Sequence, residues 1–287
     1  MKAEYDCIPC IMKQALNTAI RATGDSAKIR EILNSTADYV QTIDLEKTPA
    51  DLSNFVYRLT KQVTGVDDPY CEDKKKYNDL CLSLLDGIRK KIAVAADPLF
   101  ASIITSVFGN MIDLGIGHDF NVNEDIVKIF EKGFTIDDYT VFTKKLSSSI
   151  TILFIGDNTG EIVFDIPFVE KLLEKHDVNY VVKSGPVIND ATMSDAIYVG
   201  MTRLTKVIET GSDGIGVEWS AVSDEFRESF DKADVVISKG QGNFETLSTI
   251  DKDIFFLLKA KCDCIAHNLG VSYGDIVFKI GPVMDVS

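Results

Sequence analysis

The chain has 287 residues, of which 26% are charged and 45% hydrophobic, and its formal net charge is −14. This length supports one large domain or two smaller ones, and the acidic balance argues against nucleic acid as a main partner, because no basic surplus exists to neutralise phosphates. No apolar run approaches the roughly 20 residues of a membrane span, and Met1 to Cys7 lack the apolar stretch of a signal peptide, so a cytoplasmic protein without a membrane partner is expected.

In chain order, residues 1 to about 146 read as helical. Ile8, Ile11, Met12, Ala15, Leu16 and Ala19 line one helical face; Ile29, Ile32, Leu33 and Ala37 line a second. Leu52 to Val63 supplies a third, and Leu80, Leu82, Leu84, Leu85, Ile88 and Ile92, then Ile103, Ile104, Val107 and Met111, continue the pattern. A short helix opened by Asn123-Glu124-Asp125 and a charged connector complete this half. From about 148 the texture changes. Short apolar runs at Thr151–Ile155, Asn179–Val182, Lys206–Glu209, Val235–Ile237, Cys264–Ala266 and Ile276–Ile280 read as strands. Helical patterns fit Glu161–Lys175, Met193–Val199, Ala221–Ala233 and Thr246–Leu258. This rhythm predicts an α/β protein: a helical domain at 1–146 and, at 147–287, a mostly parallel sheet flanked by helices. The short Gly-bearing link His267–Gly274 predicts a terminal hairpin that makes the sheet mixed at its edge.

Six cysteines in a cytosolic chain of this size are not a disulfide framework. Cys7-x-x-Cys10 and Cys262-x-Cys264 have too irregular a spacing to specify a zinc site, and no strand precedes Cys7 as a thioredoxin-like motif would require. Metal binding, a redox pair and simple packing all stay open for them.

Three polar loops follow predicted strands, where ligands bind in parallel α/β sheets. The first, Gly156-Asp157-Asn158-Thr159-Gly160-Glu161, offers hard oxygen donors suited to magnesium, manganese or a similar cation. The second runs from Lys183 to Thr192 and contains Asn189-Asp190. The third is Ser238-Lys239-Gly240-Gln241-Gly242-Asn243-Phe244-Glu245. Asp157, Asn158 and Asp190 are the expected metal ligands. Lys239 among glycines is the expected phosphate partner, Gly240 lets backbone amides approach an anion, and Thr192 and Asn243 add hydrogen bonds. The bland alternatives are helix-capping Asp and Asn residues, a solvated lysine and ordinary turn glycines.

Cys7-Ile-Pro-Cys10, Asp68-Pro69-Tyr70, Gly109-Asn110-Met-Ile-Asp113, the three loops, Lys261-Cys262 and Leu269-Gly270-Val271 occur in this order over essentially the whole chain. Together they resemble the domain-of-unknown-function 89 family, the metal-dependent damage-control phosphatases, in the stand-alone prokaryotic branch with an N-terminal Cys-x-x-Cys. Many relatives have Ala where Thr159 and Gly242 stand here, and both changes keep a small residue. The resemblance implies an all-α N-terminal domain on a Rossmann-like α/β/α domain, and a divalent cation (Co, Ni, Mn or Mg) held by Asp157, Asn158 and Asp190. It also implies that Lys239 binds the substrate phosphate, and that the activity is hydrolysis of small phosphorylated metabolites such as sugar phosphates or damaged phosphometabolites.

On this reading Asp157, Asn158, Asp190 and Lys239 are catalytic, with Glu161, Thr192, Gly240 and Asn243 at the substrate. Asp68, Tyr70, Asn110 and Asp113 from the helical half are candidates for the wall that selects the leaving group; their bland roles are a helix-entry turn and a buried polar pair. Attack by water and attack by a carboxylate both stay open. Two other classes compete. An S-adenosylmethionine-dependent carboxyl methyltransferase is disfavoured because Gly-Asp-Asn-Thr-Gly-Glu is not that cofactor's glycine-rich turn. A non-catalytic metabolite sensor would have little reason to carry three oxygen ligands beside a lysine.

Overall fold

The structure is a computed structural model and describes residues 1–109 and 132–282. Asn110, Asp113 and the helix expected at Asn123-Glu124-Asp125 lie outside these residues. The first half consists of helices α1 (Cys7–Ala22), α2 (Ser26–Val40), α3 (Pro49–Thr64), α4 (Cys71–Ala93) and α5 (Pro98–Phe108). Asp25, Thr48 and Asp97 each accept a hydrogen bond from a first-turn amide of α2, α3 and α5. Pro49 and Pro98 stand in first turns, where a missing N–H has no intrahelical partner to lose.

There follow β1 (Ile136–Asp137), α6 (Tyr139–Leu146), β2 (Thr151–Ile155), α7 (Glu161–Leu173), β3 (Asp177–Val182), α8 (Met193–Val199) and β4 (Lys206–Glu209). The chain ends with α9 (Asp224–Lys232), β5 (Val235–Lys239), α10 (Gln241–Leu247), β6 (Ile254–Lys259), α11 (Asp263–Leu269) and β7 (Ile276–Ile280). The seven strands lie in the order β1-β7-β6-β5-β2-β3-β4. Every pair is parallel except β6 with β7. The expected mostly parallel α/β sheet, mixed near one edge, is therefore present, and its edge strand β1 comes from before residue 147.

Four local expectations are corrected. The helix expected over Thr246–Leu258 stops at Leu247, and Ile254–Lys259 is a strand. Its run Ile-Phe-Phe-Leu-Leu is buried on both faces of the sheet, which hides the alternation that marks a half-exposed strand. Cys264–Ala266, expected as a strand, lies within α11, which Gly270 ends in the left-handed conformation. That helix takes in the first three residues of the link read as a hairpin, so β6 and β7 pair antiparallel across a longer connection. Tyr139–Leu146 is a helix rather than a charged connector.

Two cores form on the two faces of the sheet. Ile152 and Phe154 of β2, Val235 and Ile237 of β5, and Phe255 and Leu257 of β6 face α4, α5 and α7. The alternate residues, Leu153, Ile155, Val236, Phe256 and Leu258, face α1, α3, α10 and α11. Successive side chains of a strand point to opposite faces, so each buried strand feeds both cores. The N-terminal helices thus cover both sides of the sheet. Phe142 is fully buried in the first core, with ring centroids 5.0 Å from Phe255, 5.2 Å from Phe278 and 6.1 Å from Phe168. Phe142→Ala is expected to cost about 3–5 kcal/mol, read as a lowered urea midpoint with an unchanged slope; a loss under about 1 kcal/mol would mean that the cluster collapses into the space.

Candidate functional site

β2 ends at Ile155 and the chain turns through Gly156–Gly160 into α7, while the loop after β3 runs back alongside that turn. The Ala191 amide donates to the Asp157 carbonyl at 2.8 Å, and the Thr159 amide to the Asn189 carbonyl at 2.8 Å. Asn158 and Asp190 form an isolated antiparallel bridge, and Lys183 and Thr192 a parallel one. Asp157, Asn158 and Asp190 are therefore brought together by backbone at the carboxyl ends of two adjacent strands. The third loop joins them. Gly240 has φ +81°, and a Cβ there would fall on the Asp157 carboxylate. The Asn243 side-chain amide donates to the carbonyls of Gly156 (3.0 Å) and Lys239 (2.8 Å). This is the crevice where the strand order reverses about β2, flanked by β3 and β5.

The carboxylates are held out of water. Burial pushes Asp157 well above the usual carboxylate range and the charge of Asp190 pushes it further, against the pull of Lys261, Lys183 and Lys239. Asp190 is also raised by burial, opposed by Lys183, Lys74 and Lys261. The Lys183 ammonium is 3.6 Å from Asp190 and donates to the Gly216 carbonyl. The Asn158 side-chain amide donates to Asp157 Oδ2 at 2.6 Å and Glu161 Oε2 at 3.4 Å. Among the described residues no three His, Cys, Asp or Glu side chains are grouped to hold a metal. The oxygen set here is two carboxylates and one carboxamide.

Lys239, expected in a loop, is the last residue of β5 and has no exposed surface. Its ammonium lies 2.6 Å from Glu161 Oε1, 2.6 Å from Asp165 Oδ1 and 3.1 Å from the Ser106 carbonyl. Asp165 accepts further hydrogen bonds from Ser106 Oγ (2.5 Å) and the Tyr180 hydroxyl (2.6 Å). Gly109 permits this close packing, since a Cβ there would stand 2.6 Å from the Glu161 Cα. The Thr192 hydroxyl donates to Asp195 Oδ2 at 2.7 Å in the capping box of α8. Asp68 accepts from the Tyr70 amide at 2.9 Å and pairs with Lys74 at 3.5 Å.

Sequence reasoning missed the polar struts from α4. Asn78 accepts from the Gly160 amide at 2.8 Å and donates to Asp195 at 3.0 Å, while Lys74 pairs with Asp195 at 3.1 Å. The signal was present: Lys74 and Asn78 share a helical stripe with Cys81, Leu85, Ile88 and Ile92, all buried. Sequence reasoning also gave no role to Lys261.

A cavity of about 1190 Å³ adjoins the site. Gln241, Gly242 and Glu245 of α10, Ile188 of the second loop and Lys261 line it, together with Gln14, Thr18, Tyr57 and Tyr70 of the helical half. Lys261 is exposed to it. Ile188 holds φ +44°, a strained conformation for a β-branched residue, two positions before Asp190. Glu245 is buried, and burial pushes its carboxyl up to about 7 although Gln241 donates to it.

The chain matches the family described as damage-control phosphatase ARMT1-like domain over residues 3–277. It belongs to that family. A damage-control phosphatase of Pyrococcus horikoshii is 35% identical over 96% of this chain and 97% of its own length. A crystal structure of a DUF89 family protein from P. horikoshii superposes with a TM-score of 0.91, covering 98% of this chain and 99% of that one at 35% identity. A damage-control phosphatase of Archaeoglobus fulgidus is 30% identical over 98% of this chain and 99% of its own length. The 4'-phosphopantetheine phosphatase of Mus musculus matches more narrowly, at 27% identity over 46% of this chain and 18% of its own length. Within this damage-control phosphatase family, the resemblance read from the motifs is confirmed.

Glu245 gives the site region a pH dependence whose sign is fixed. The unfolded glutamate releases its proton near its ordinary value of 4.5, whereas the folded one keeps it until about 7. Its contribution to stability therefore falls as pH rises from 4.5 to 7 and is flat above. Glu245→Gln is expected to match the parent in thermal unfolding near pH 4 and to melt higher at pH 8. An equal shift at both pH values would show that the substitution acts through packing rather than charge.

Proposed function

We propose that this chain is a metal-dependent phosphatase of small phosphorylated metabolites, sugar phosphates or damaged phosphometabolites. The observation that carries the reading is the meeting of Asp157, Asn158 and Asp190 at adjacent strand ends beside a large cavity. The names of the full-length archaeal relatives support the same reaction class.

The donor set fits a hard divalent cation. Burial raises the proton affinity of both carboxylates, and the charge of Asp190 raises that of Asp157 further, so the site is short of positive charge. Asn158 is oriented for the same purpose. Its side-chain nitrogen faces Asp157 and Glu161, which leaves the carboxamide oxygen for a cation. Asp157, Asn158 and Asp190 would hold magnesium, manganese, cobalt or nickel. When bound, the cation supplies Lewis-acid stabilisation of phosphoryl oxygens.

The chain's own residues do the rest. Lys239 holds Glu161 against the Asn158 amide and fixes the ligand turn from below. Lys261, exposed at the cavity and within electrostatic reach of Asp157 and Asp190, takes the charge of the substrate phosphate. The cavity wall of Tyr57, Tyr70, Gln14 and Thr18 receives the leaving group.

The test is p-nitrophenyl phosphate hydrolysis by metal-stripped protein, with each cation restored singly. Turnover should require a cation, and Asp157→Asn and Asp190→Ala should lower kcat/KM by at least about 100-fold. Lys261→Met should raise KM more than it lowers kcat. Cation-independent turnover, or full activity in the Asp190 variant, would overturn the assignment.

A further inference from the structure

Lys261 lines the cavity from the short link between β6 and α11. Its main-chain amide donates to Gln241 Oε1 at 3.1 Å. Gln241 is the first residue of α10, and the other end of its carboxamide is engaged as well: Nε2 donates to Glu245 Oε1 at 2.9 Å and to the Cys262 sulfur at 3.5 Å. These partners fix which way the carboxamide lies. The Lys261 amide can only donate and so takes the oxygen, while Glu245, one turn along α10, offers an acceptor to the nitrogen.

Gln241 also abuts the oxygen donors. It directly follows Gly240, which lies so close to the Asp157 carboxylate that a Cβ there would fall on it. Two residues later, Asn243 ties the same segment to the Gly156 carbonyl at 3.0 Å. Two consecutive residues thus span from the Asp157 carboxylate to the main chain of Lys261. The neighbours of Lys261 are held elsewhere: the Ala260 amide donates to the Asp275 carbonyl at 2.9 Å, and the Cys262 carbonyl accepts from the Ala266 amide at 3.0 Å. Gln241 adds the tie to the segment that packs on Asp157.

We propose that Gln241 is a positioning residue for phosphate binding: its carboxamide holds the Lys261 main chain at a set distance from Asp157, so that the Lys261 ammonium meets a phosphate lying at the oxygen donors. The inference rests on the phosphatase reading and on the place given there to Lys261. A lysine side chain is a flexible four-carbon stem that by itself defines no single position for its charge. Anchoring the root of that stem before substrate arrives lowers the ordering cost of binding. The gain is the same for bound substrate and transition state, so it belongs in KM rather than kcat.

Two measurements test this on the full-length chain. In hydrogen exchange resolved to single amides, Gln241→Met should make the Lys261 amide exchange about 5-fold faster while the amides of α7 stay as in the parent. In p-nitrophenyl phosphate hydrolysis with the cation restored, Gln241→Met should raise KM about 5-fold, and raise it more than it lowers kcat. In the Lys261→Met background the same change should move KM by less than about 2-fold, because its effect passes through the lysine. Gln241→Glu keeps an oxygen for the Lys261 amide. At pH 6 Glu245, whose burial pushes its carboxyl up to about 7, keeps its proton and can donate to the new carboxylate, so KM should return to within about 2-fold of the parent. Equal KM increases in both backgrounds, or unchanged exchange at Lys261, would overturn this role and leave the phosphatase reading standing. A parent without turnover in any cation would overturn both. The glutamate variant carries the comparison if the methionine variant fails to fold.

Discussion

An ammonium group with no access to water anchors the site. Lys239 ends β5, and its charge is shared between Glu161 and Asp165 on α7 and a carbonyl of α5. A buried pair of this kind contributes little net stability against an apolar substitute, but losing one partner strands the others and costs several kcal/mol. Strand β5, α7 and α5 are therefore locked in one mutual arrangement. Glu161 opens α7 directly after the turn that carries Asp157 and Asn158, so the same lock sets where that turn can lie.

Charge is layered around this anchor. The chain as a whole is strongly acidic, yet Lys74, Lys183 and Lys239 are turned inward beneath or beside the carboxylates, and Lys261 faces the cavity. The inward lysines offset the cost of burying Asp157, Asp190 and Glu161 without fully cancelling it, which is why all three carboxyls stay raised. The site is thereby left slightly short of positive charge. Gly240 completes the layer by letting the Asp157 carboxylate lie against main chain.

Much of this was legible in the sequence, because the strands of the second half are buried runs that end in polar, Gly-bearing turns. The meeting of the first and second loops follows from β2 and β3 being neighbours. What was missed has physical causes. Ile254–Lys259 is apolar at every position facing either core, so its period gave no sign of strand over helix. Lys239 was read as a loop residue because a lysine at a strand end is usually solvated. Counting along β5 shows otherwise: 235 and 237 face α7, and 239 shares their face. The α4 struts were hidden because Lys74 and Asn78 look like surface residues until the stripe they share with Cys81 and Leu85 is drawn. Thr192 and Asp68 were given substrate roles, and in the structure their side chains also organise a helix cap and a turn.

The ligand turn and the second loop are stapled to each other by main-chain hydrogen bonds on either side of Asp190, at Asn189 and Ala191. The residues just before the staple, Ser184-Gly185-Pro186-Val187-Ile188, are outside it and reach the cavity through Ile188. Spacing of the oxygen donors and shape of the substrate chamber are thereby written in separate stretches of chain. Drift in that pentapeptide, or in the faces that α1 and α3 turn to the cavity, reshapes what the chamber admits while the donors keep their positions. Sequence change in one stretch therefore need not disturb the geometry of the other.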